Sequence, residues 1–305
     1  MYAETFEFNG IKSEDAGFYI MSFGGSGELE TNSIGNEITF ATTQAARSDT
    51  QDFHGATRTT PLSITFQIGL NPCQSKVSFL DREKCAFLLR WLERKDGYKL
   101  LRFFQDGYEN TFFKAKIHIE WIQFLGQIIG AELTVTCNAP YGYSELKTFE
   151  ATVTNNGSFS LYNDSDEYGK LDIEKTTITL TEMQDTSLAK GTFSFGNQLD
   201  SQYTHDGHID YFTVENCKEN EIIVIDSNGN LSSTMNTYHT NESVSSDCNY
   251  EIPHLLNLSD GIEYSASSPY ETYSENRINT FITDTDNKFN YHILFEYRTI
   301  RSVMC

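Results

Sequence analysis

Apolar residues recur along this chain with two different periods, and the contrast is sharpest between Ser78 and Asn138. From Asp81 to Asp96, Cys85, Leu88, Leu89 and Leu92 fall at i, i+3, i+4 and i+7, while Arg82, Glu83, Arg90, Glu93 and Arg94 occupy the opposite side. That spacing predicts an amphipathic helix with Cys85, Leu88, Leu89 and Leu92 as its core face. Asp81 is placed to cap the first turn, and Gly97 to end the helix as a left-handed stop. Beyond it the period drops to two. Tyr98 to Phe104, Thr111 to Phe124 and Gln127 to Cys137 read as an antiparallel meander, with turns at Gln105-Asp106-Gly107 and near Gly126.

The same alternation runs before the helix. Phe6-Glu7-Phe8 is followed by Asn9-Gly10, a strong hairpin signal, and the chain returns at Ile11. A strand is expected at Ile38 to Ala41, and Thr42 to Asp52 reads as a polar loop. Leu62, Ile64, Phe66 and Ile68 alternate with polar residues as a half-buried strand. Pro140, Gly142 and Ser144 then interrupt the pattern. Short strands resume at Thr148 to Val153, Ser158 to Tyr162, Thr177 to Thr181, Gly191 to Phe195, His208 to Thr213, Glu221 to Ile225 and Lys288 to Tyr297, separated by Asn, Asp, Ser and Gly turns. The chain is therefore expected to be mainly β, in two domains. Residues 1–139 form a β-sandwich or split barrel with one α-helix, 140–147 a linker, and 148–305 a β-sandwich or jelly roll.

Composition supports this division and narrows the function. With 305 residues the chain exceeds what one core usually serves, and 38% hydrophobic residues with 22 Phe and 17 Tyr describe folded, strand-rich protein. No stretch approaches the roughly 18 apolar residues of a membrane helix. Met1 to Gly10 lacks the apolar segment of a signal peptide, so folding in a cytoplasm is expected. The six cysteines form no Cys-x-x-Cys pair and are expected to be reduced thiols. The net charge of −21 is uneven: 13 basic against 17 acidic side chains in residues 1–139, and 9 against 26 in 140–305. Such a balance argues against nucleic-acid binding through phosphates.

Candidate chemistry is sparse. His205-Asp206-Gly207-His208-Ile209-Asp210 gathers two imidazoles and two carboxylates, but no second cluster completes a metal site. Asp284-Thr285-Asp286-Asn287 and Asn163-Asp164-Ser165-Asp166 lack the pattern of a calcium loop and read as turns. Gly24-Gly25-Ser26-Gly27 lacks the lysine and helix of a phosphate cradle. With 43 acids a hydrolase-like carboxylate pair can be drawn anywhere, which carries no weight. No enzyme activity, cofactor or metal is expected.

The order of these motifs resembles the distal tail protein (Dit) family of siphophages. The likeness rests on Phe6-Glu7-Phe8-Asn9-Gly10, on Phe53-His54-Gly55-Ala56 before Pro61-Leu62, and on Trp91-Leu92 with Lys95-Asp96-Gly97-Tyr98-Lys99-Leu100-Leu101. It continues through Cys137-Asn138-Ala139-Pro140-Tyr141-Gly142-Tyr143-Ser144, then Asn216 to Asp226 and Pro253 to Gly261. The resemblance implies a structural baseplate hub of the virion, assembled in the bacterial host cytoplasm. In that family a homo-hexamer ring at the tail tip joins the tail tube protein to the tail-associated lysin or tail-fibre hub protein and to receptor-binding proteins. Such a ring leaves a channel for DNA, and the region 42–58 is expected to reach over the neighbouring subunit. The family also implies a galectin-like C-terminal domain. A second function is host attachment through cell-wall saccharide, for which Tyr264, Tyr270 and Tyr273 are the candidate contacts, since Trp91 and Trp121 both lie in the first domain.

Overall fold

The Asn9-Gly10 turn, with φ of 52° and 77°, joins β1 (Thr5–Phe8) to β2 (Ile11–Lys12) in the left-handed conformation that two-residue hairpins need. In the computed structural model of the chain, residues 3–23, 38–44, 51–58, 61–71, 79–166, 168–185, 187–203, 207–258 and 277–302 are described. Two compact units result, Met1–Ser144 with Arg301–Cys305, and Glu145–Ile300.

In the first unit the chain continues through β3 (Phe18–Ile20), β4 (Ile38–Gln44), β5 (Gln51–Arg58), β6 (Ser63–Leu70), helix α1 (Arg82–Leu92), β7 (Lys99–Phe104), β8 (Phe112–Phe124), β9 (Gln127–Cys137) and β10 (Gly142–Tyr143). The main antiparallel sheet runs β2-β1-β7-β8-β9-β6-β3. At its far end Ile20 N donates to Glu4 O at 2.9 Å, which brings β3 back beside the start of β1 and curls the sheet towards a split barrel. Phe113, Ala115, Ile117 and Ile119 of β8 and Ala131, Leu133, Val135 and Cys137 of β9 point inward, with Lys116, His118 and Glu120 outward. The meander matches the two-residue period of its sequence. Tyr143 of β10 pairs with Phe112, so part of the expected linker 140–147 is strand in the first unit. Residues from Arg301 also group with that unit, where 148–305 was expected as one domain.

The polar run 42–52 differs from its expected loop. β4 and β5 pair from Ile38↔Arg58 to Gln44↔Gln51, with a bulge between Ala41 and Thr42, and form a two-stranded sheet. A ribbon of this kind supplies its own backbone hydrogen bonds, so it does not need the alternating buried face by which strands are recognised.

Helix α1 begins where expected and ends early. Asp81 Oδ1 accepts the backbone N–H of Lys84 at 2.9 Å, but the helix stops at Leu92, with Glu93 as its C-cap. Arg94 N closes a tighter turn onto Leu92 O, and the Asp96 carboxylate takes Arg94 and Lys99 at 2.8 and 3.0 Å. Gly97, at φ 111°, belongs to the turn into β7 and does not stop the helix. Leu88 and Leu92 are fully buried, and Cys85 packs partly against the same core. Leu89 is not on that face: it is 40% exposed, and Trp91 takes the buried position. The indole stacks on Phe6 at 5.6 Å and 5° between planes, and its Nε1 donates to Phe8 O at 2.9 Å. Successive residues turn by about 100°, so a helix anchored through Trp91 and Leu88 carries Leu89 out to the rim.

The second unit holds β11 (Lys147–Val153), β12 (Ser158–Tyr162), β13 (Gly169–Leu171), β14 (Lys175–Met183), β15 (Gly191–Asn197), the short helix α2 (Asp200–Tyr203), β16 (Tyr211–Cys217), β17 (Ile222–Ile225), β18 (Leu231–Ser233), β19 (Leu255–Asn257), β20 (Ile278–Thr283) and β21 (Phe289–Tyr297). Two antiparallel sheets, β11-β21-β14-β17-β18 and β12-β20-β15-β16, meet through an aromatic core. Phe281 lies 5.2 Å from Phe295, and Phe193 lies 4.9 Å from Tyr291, each pair crossing from one sheet to the other. Short β13 pairs with β19. The protein is mainly β, in two units.

Candidate functional site

Among the described residues, the densest group of chemically capable side chains lies in the second unit, where β16 turns into β17. Cys217 ends β16, and a tight turn with Asn216 and Asn220 at positive φ places Glu221 just before β17. Three single-turn helices, Asn236–Tyr238, Thr240–Glu242 and Val244–Asp247, then bring His239 and Asp247 to the same place. His239 Nε2 lies 2.7 Å from Glu221 Oε1, and its Nδ1 lies 2.9 Å from Asp247 Oδ2. Both side chains of the His239–Glu221 pair are fully buried. Each nitrogen of the imidazole thus faces a carboxylate oxygen.

The surroundings complete these groups. Glu221 Oε1 also accepts the Ser233 hydroxyl at 2.5 Å, and Oε2 accepts Lys218 N at 3.0 Å. Asp247 Oδ2 accepts Thr240 N at 3.0 Å and Asn216 Nδ2 at 3.1 Å. Burial raises the Asp247 carboxyl, but bonds from Thr240, Asn216 and His239 outweigh it and hold the group at about 2. Burial, then the charge of Glu221, pushes the Cys217 thiol far above its ordinary value. A buried imidazole between two carboxylates is held by these bonds, and removing one partner would leave a buried charge uncompensated.

Sequence reading did not find this group, whose members spread from Cys217 to Asp247. The one local sign was Glu221, an acid directly before the apolar run Ile222–Ile225. Of the 205–210 cluster, His208 and Asp210 are exposed, and His205 and Asp206 lie outside the described residues. Asn163 Oδ1 accepts Ser165 N and Oγ, and Asp284 Oδ1 accepts Thr285 N, as turn residues do. Tyr264, Tyr270 and Tyr273, the candidate saccharide contacts, also lie outside the described residues, as does Gly24-Gly25-Ser26-Gly27. Cys85, Cys137, Cys217 and Cys248 are free thiols, and burial alone pushes Cys137 up to about 12.

The first unit offers surface features in place of chemistry. At the β8–β9 turn, Phe124 is 63% and Leu125 89% exposed, with Leu125 and Gly126 at φ 48° and 78°. The β4–β5 ribbon forms a sheet of its own. Among the described residues no helix is long and apolar enough to cross a membrane.

The family comparison identifies the protein's kind, and the fold comparison finds a similar architecture. Residues 1–139 match the family model of a phage tail protein N-terminal domain, and residues 141–272 match that of a phage tail C-terminal domain. The chain belongs to this phage tail protein family and is a structural component of a phage tail. Its fold is similar to the crystal structure of the SPP1 Dit protein, described as a paradigm of the hub adsorption apparatus in phages that infect Gram-positive bacteria. The TM-score is 0.52 at 11% identity, over 96% of this chain and 98% of that chain. No curated protein sequence matches.

Proposed function

We propose that the protein is a distal tail hub: copies close into a ring at the tip of a long non-contractile tail, joining the tail tube to the host-adhesion apparatus around a channel for DNA. The observation that carries this reading is the extent of the fold likeness, which runs through both units and nearly the full length of the SPP1 Dit chain. The family match to phage tail domains supports it independently. We assign ring contacts to the first unit. Its β4–β5 ribbon is an arm able to lie over a neighbouring copy, and the exposed Phe124-Leu125 tip is apolar surface of the kind that interfaces cover. A head-to-tail interface of this sort closes only as a ring, and six copies are expected from the family resemblance.

Negative-stain electron microscopy and native mass spectrometry of the purified full chain test this. Closed rings of about six copies are expected. A protein that stays monomeric at micromolar concentration, both alone and mixed with the tail tube protein, would overturn the hub reading.

A further inference from the structure

We propose that Cys217, Glu221 and His239 form a binding site for a divalent cation of the zinc class, with Asp247 as its outer support. Their donor atoms, a thiol sulfur, a carboxylate oxygen and a ring nitrogen, all lie within 4.8 Å of one another. The residues come from the end of β16, the turn before β17 and the helical turns beyond β18, so it is the fold that gathers them. Thiolate, imidazole and carboxylate together make a borderline-soft donor set, which suits zinc and not calcium or magnesium. Three protein donors are the number zinc takes when its fourth position is left to water.

The groups behind the donors point the same way. His239 turns Nε2 towards Glu221 while its Nδ1 is held by Asp247 Oδ2 at 2.9 Å, the carboxylate-to-imidazole support that aims a ligating histidine. Asp247 is itself fixed by Thr240 N and Asn216 Nδ2, and Glu221 by the Ser233 hydroxyl and Lys218 N. Cys217, Glu221 and His239 are all buried, so an ion here, with one water in its fourth position, would be shielded from bulk solvent and would pin the 236–247 turns to the sandwich.

A ligating thiol gives up its proton and a ligating Nε2 carries none, so uptake of the ion releases protons while the Nδ1 side of the ring stays against Asp247.

The test uses the full chain, stripped with a chelator, dialysed and titrated with cobalt(II) and then zinc(II). One ion per chain is expected by elemental analysis, with a thiolate-to-cobalt charge-transfer band, tetrahedral visible bands, proton release to the buffer and a rise in melting temperature on adding zinc. Cys217→Ser removes the charge-transfer band, Cys248→Ser keeps it, and Asp247→Asn weakens zinc binding about 10- to 100-fold. Should Cys217→Ser not fold, the cobalt spectrum and proton release of the unaltered protein decide the matter alone. Only trace metal with no charge-transfer band, or a band that persists in folded Cys217→Ser, would overturn the site.

Discussion

Asp200, buried at the start of α2, is the carboxyl whose surroundings most oppose its charge: burial first, then the charge of Asp210, push it up to about 6, against a smaller pull from His254 and Lys170. In the unfolded chain the same group titrates near its ordinary value of 3.8. The folded chain therefore keeps this proton to higher pH than the unfolded chain does. Its contribution to stability is fully present below about pH 4, is lost as pH rises towards about 6, and stays lost above. Asp200→Asn removes the titration, so the variant should gain on the order of 2 kcal/mol over the unaltered protein near pH 7 and nothing near pH 4. Chemical denaturation of both proteins across that range checks it, and a constant gap would mean that Asp200 ionises freely in the folded state. At this scale the sequence misdirected attention. It drew notice to 205–210 because imidazoles and carboxylates are adjacent there, yet His208 and Asp210 are solvent-facing. The buried imidazole, His239, meets Glu221 and Asp247 from 18 and 8 residues away, a distance no local pattern spans.

For single elements the period of the chain was a better guide, and its errors have physical causes. Helix α1 was legible because Asp81 caps it and Leu88 and Leu92 lie one turn apart, but the spacing alone could not choose between Leu89 and Trp91 as the rim of the buried stripe. The indole decided it by stacking on Phe6 and donating to Phe8 O, contacts across more than 80 residues. Leu88→Ala and Leu92→Ala should each cost about 2 to 5 kcal/mol, as expected for fully buried leucines. Leu89→Ala and Arg90→Ala, on exposed positions, should stay within about 0.5 kcal/mol of the unaltered protein. Urea titration of the four variants separates the two faces, and a loss at Leu89 equal to that at Leu88 would mean the helix sits rotated. The β8–β9 hairpin was readable almost residue by residue because one face of it is core. Of the β4–β5 ribbon only Ile38–Ala41 was, since strands that pair only with each other need no alternation. Short β13, β18 and β19 escaped notice because three residues carry too little period to register.

For the whole molecule, the division into two units agrees with the division of charge. Met1–Ser144 carries 13 basic and 17 acidic side chains, whereas Glu145–Ile300 carries 8 and 26. Copies packed around a closed axis bring like charge together, and salt screens that repulsion only beyond about 10 Å at 0.1 M ionic strength. In the ring proposed above, the nearly balanced unit is therefore the one suited to close packing between copies. Each has a core of its own: an aliphatic and aromatic cluster around Phe6, Leu88 and Trp91 in the first, and the packed phenylalanines between two sheets in the second. A fragment of residues 1–144, first shown by circular dichroism and cooperative unfolding to be folded, should form rings in moderate salt. A fragment of residues 145–300 should stay monomeric under the same conditions. Lowering the salt should loosen rings of the full chain more than rings of the first fragment, because only the full chain carries the extra acidic charge. Light scattering reads both effects, and a folded but monomeric first fragment beside an oligomeric second one would move the ring interface to the other half of the protein.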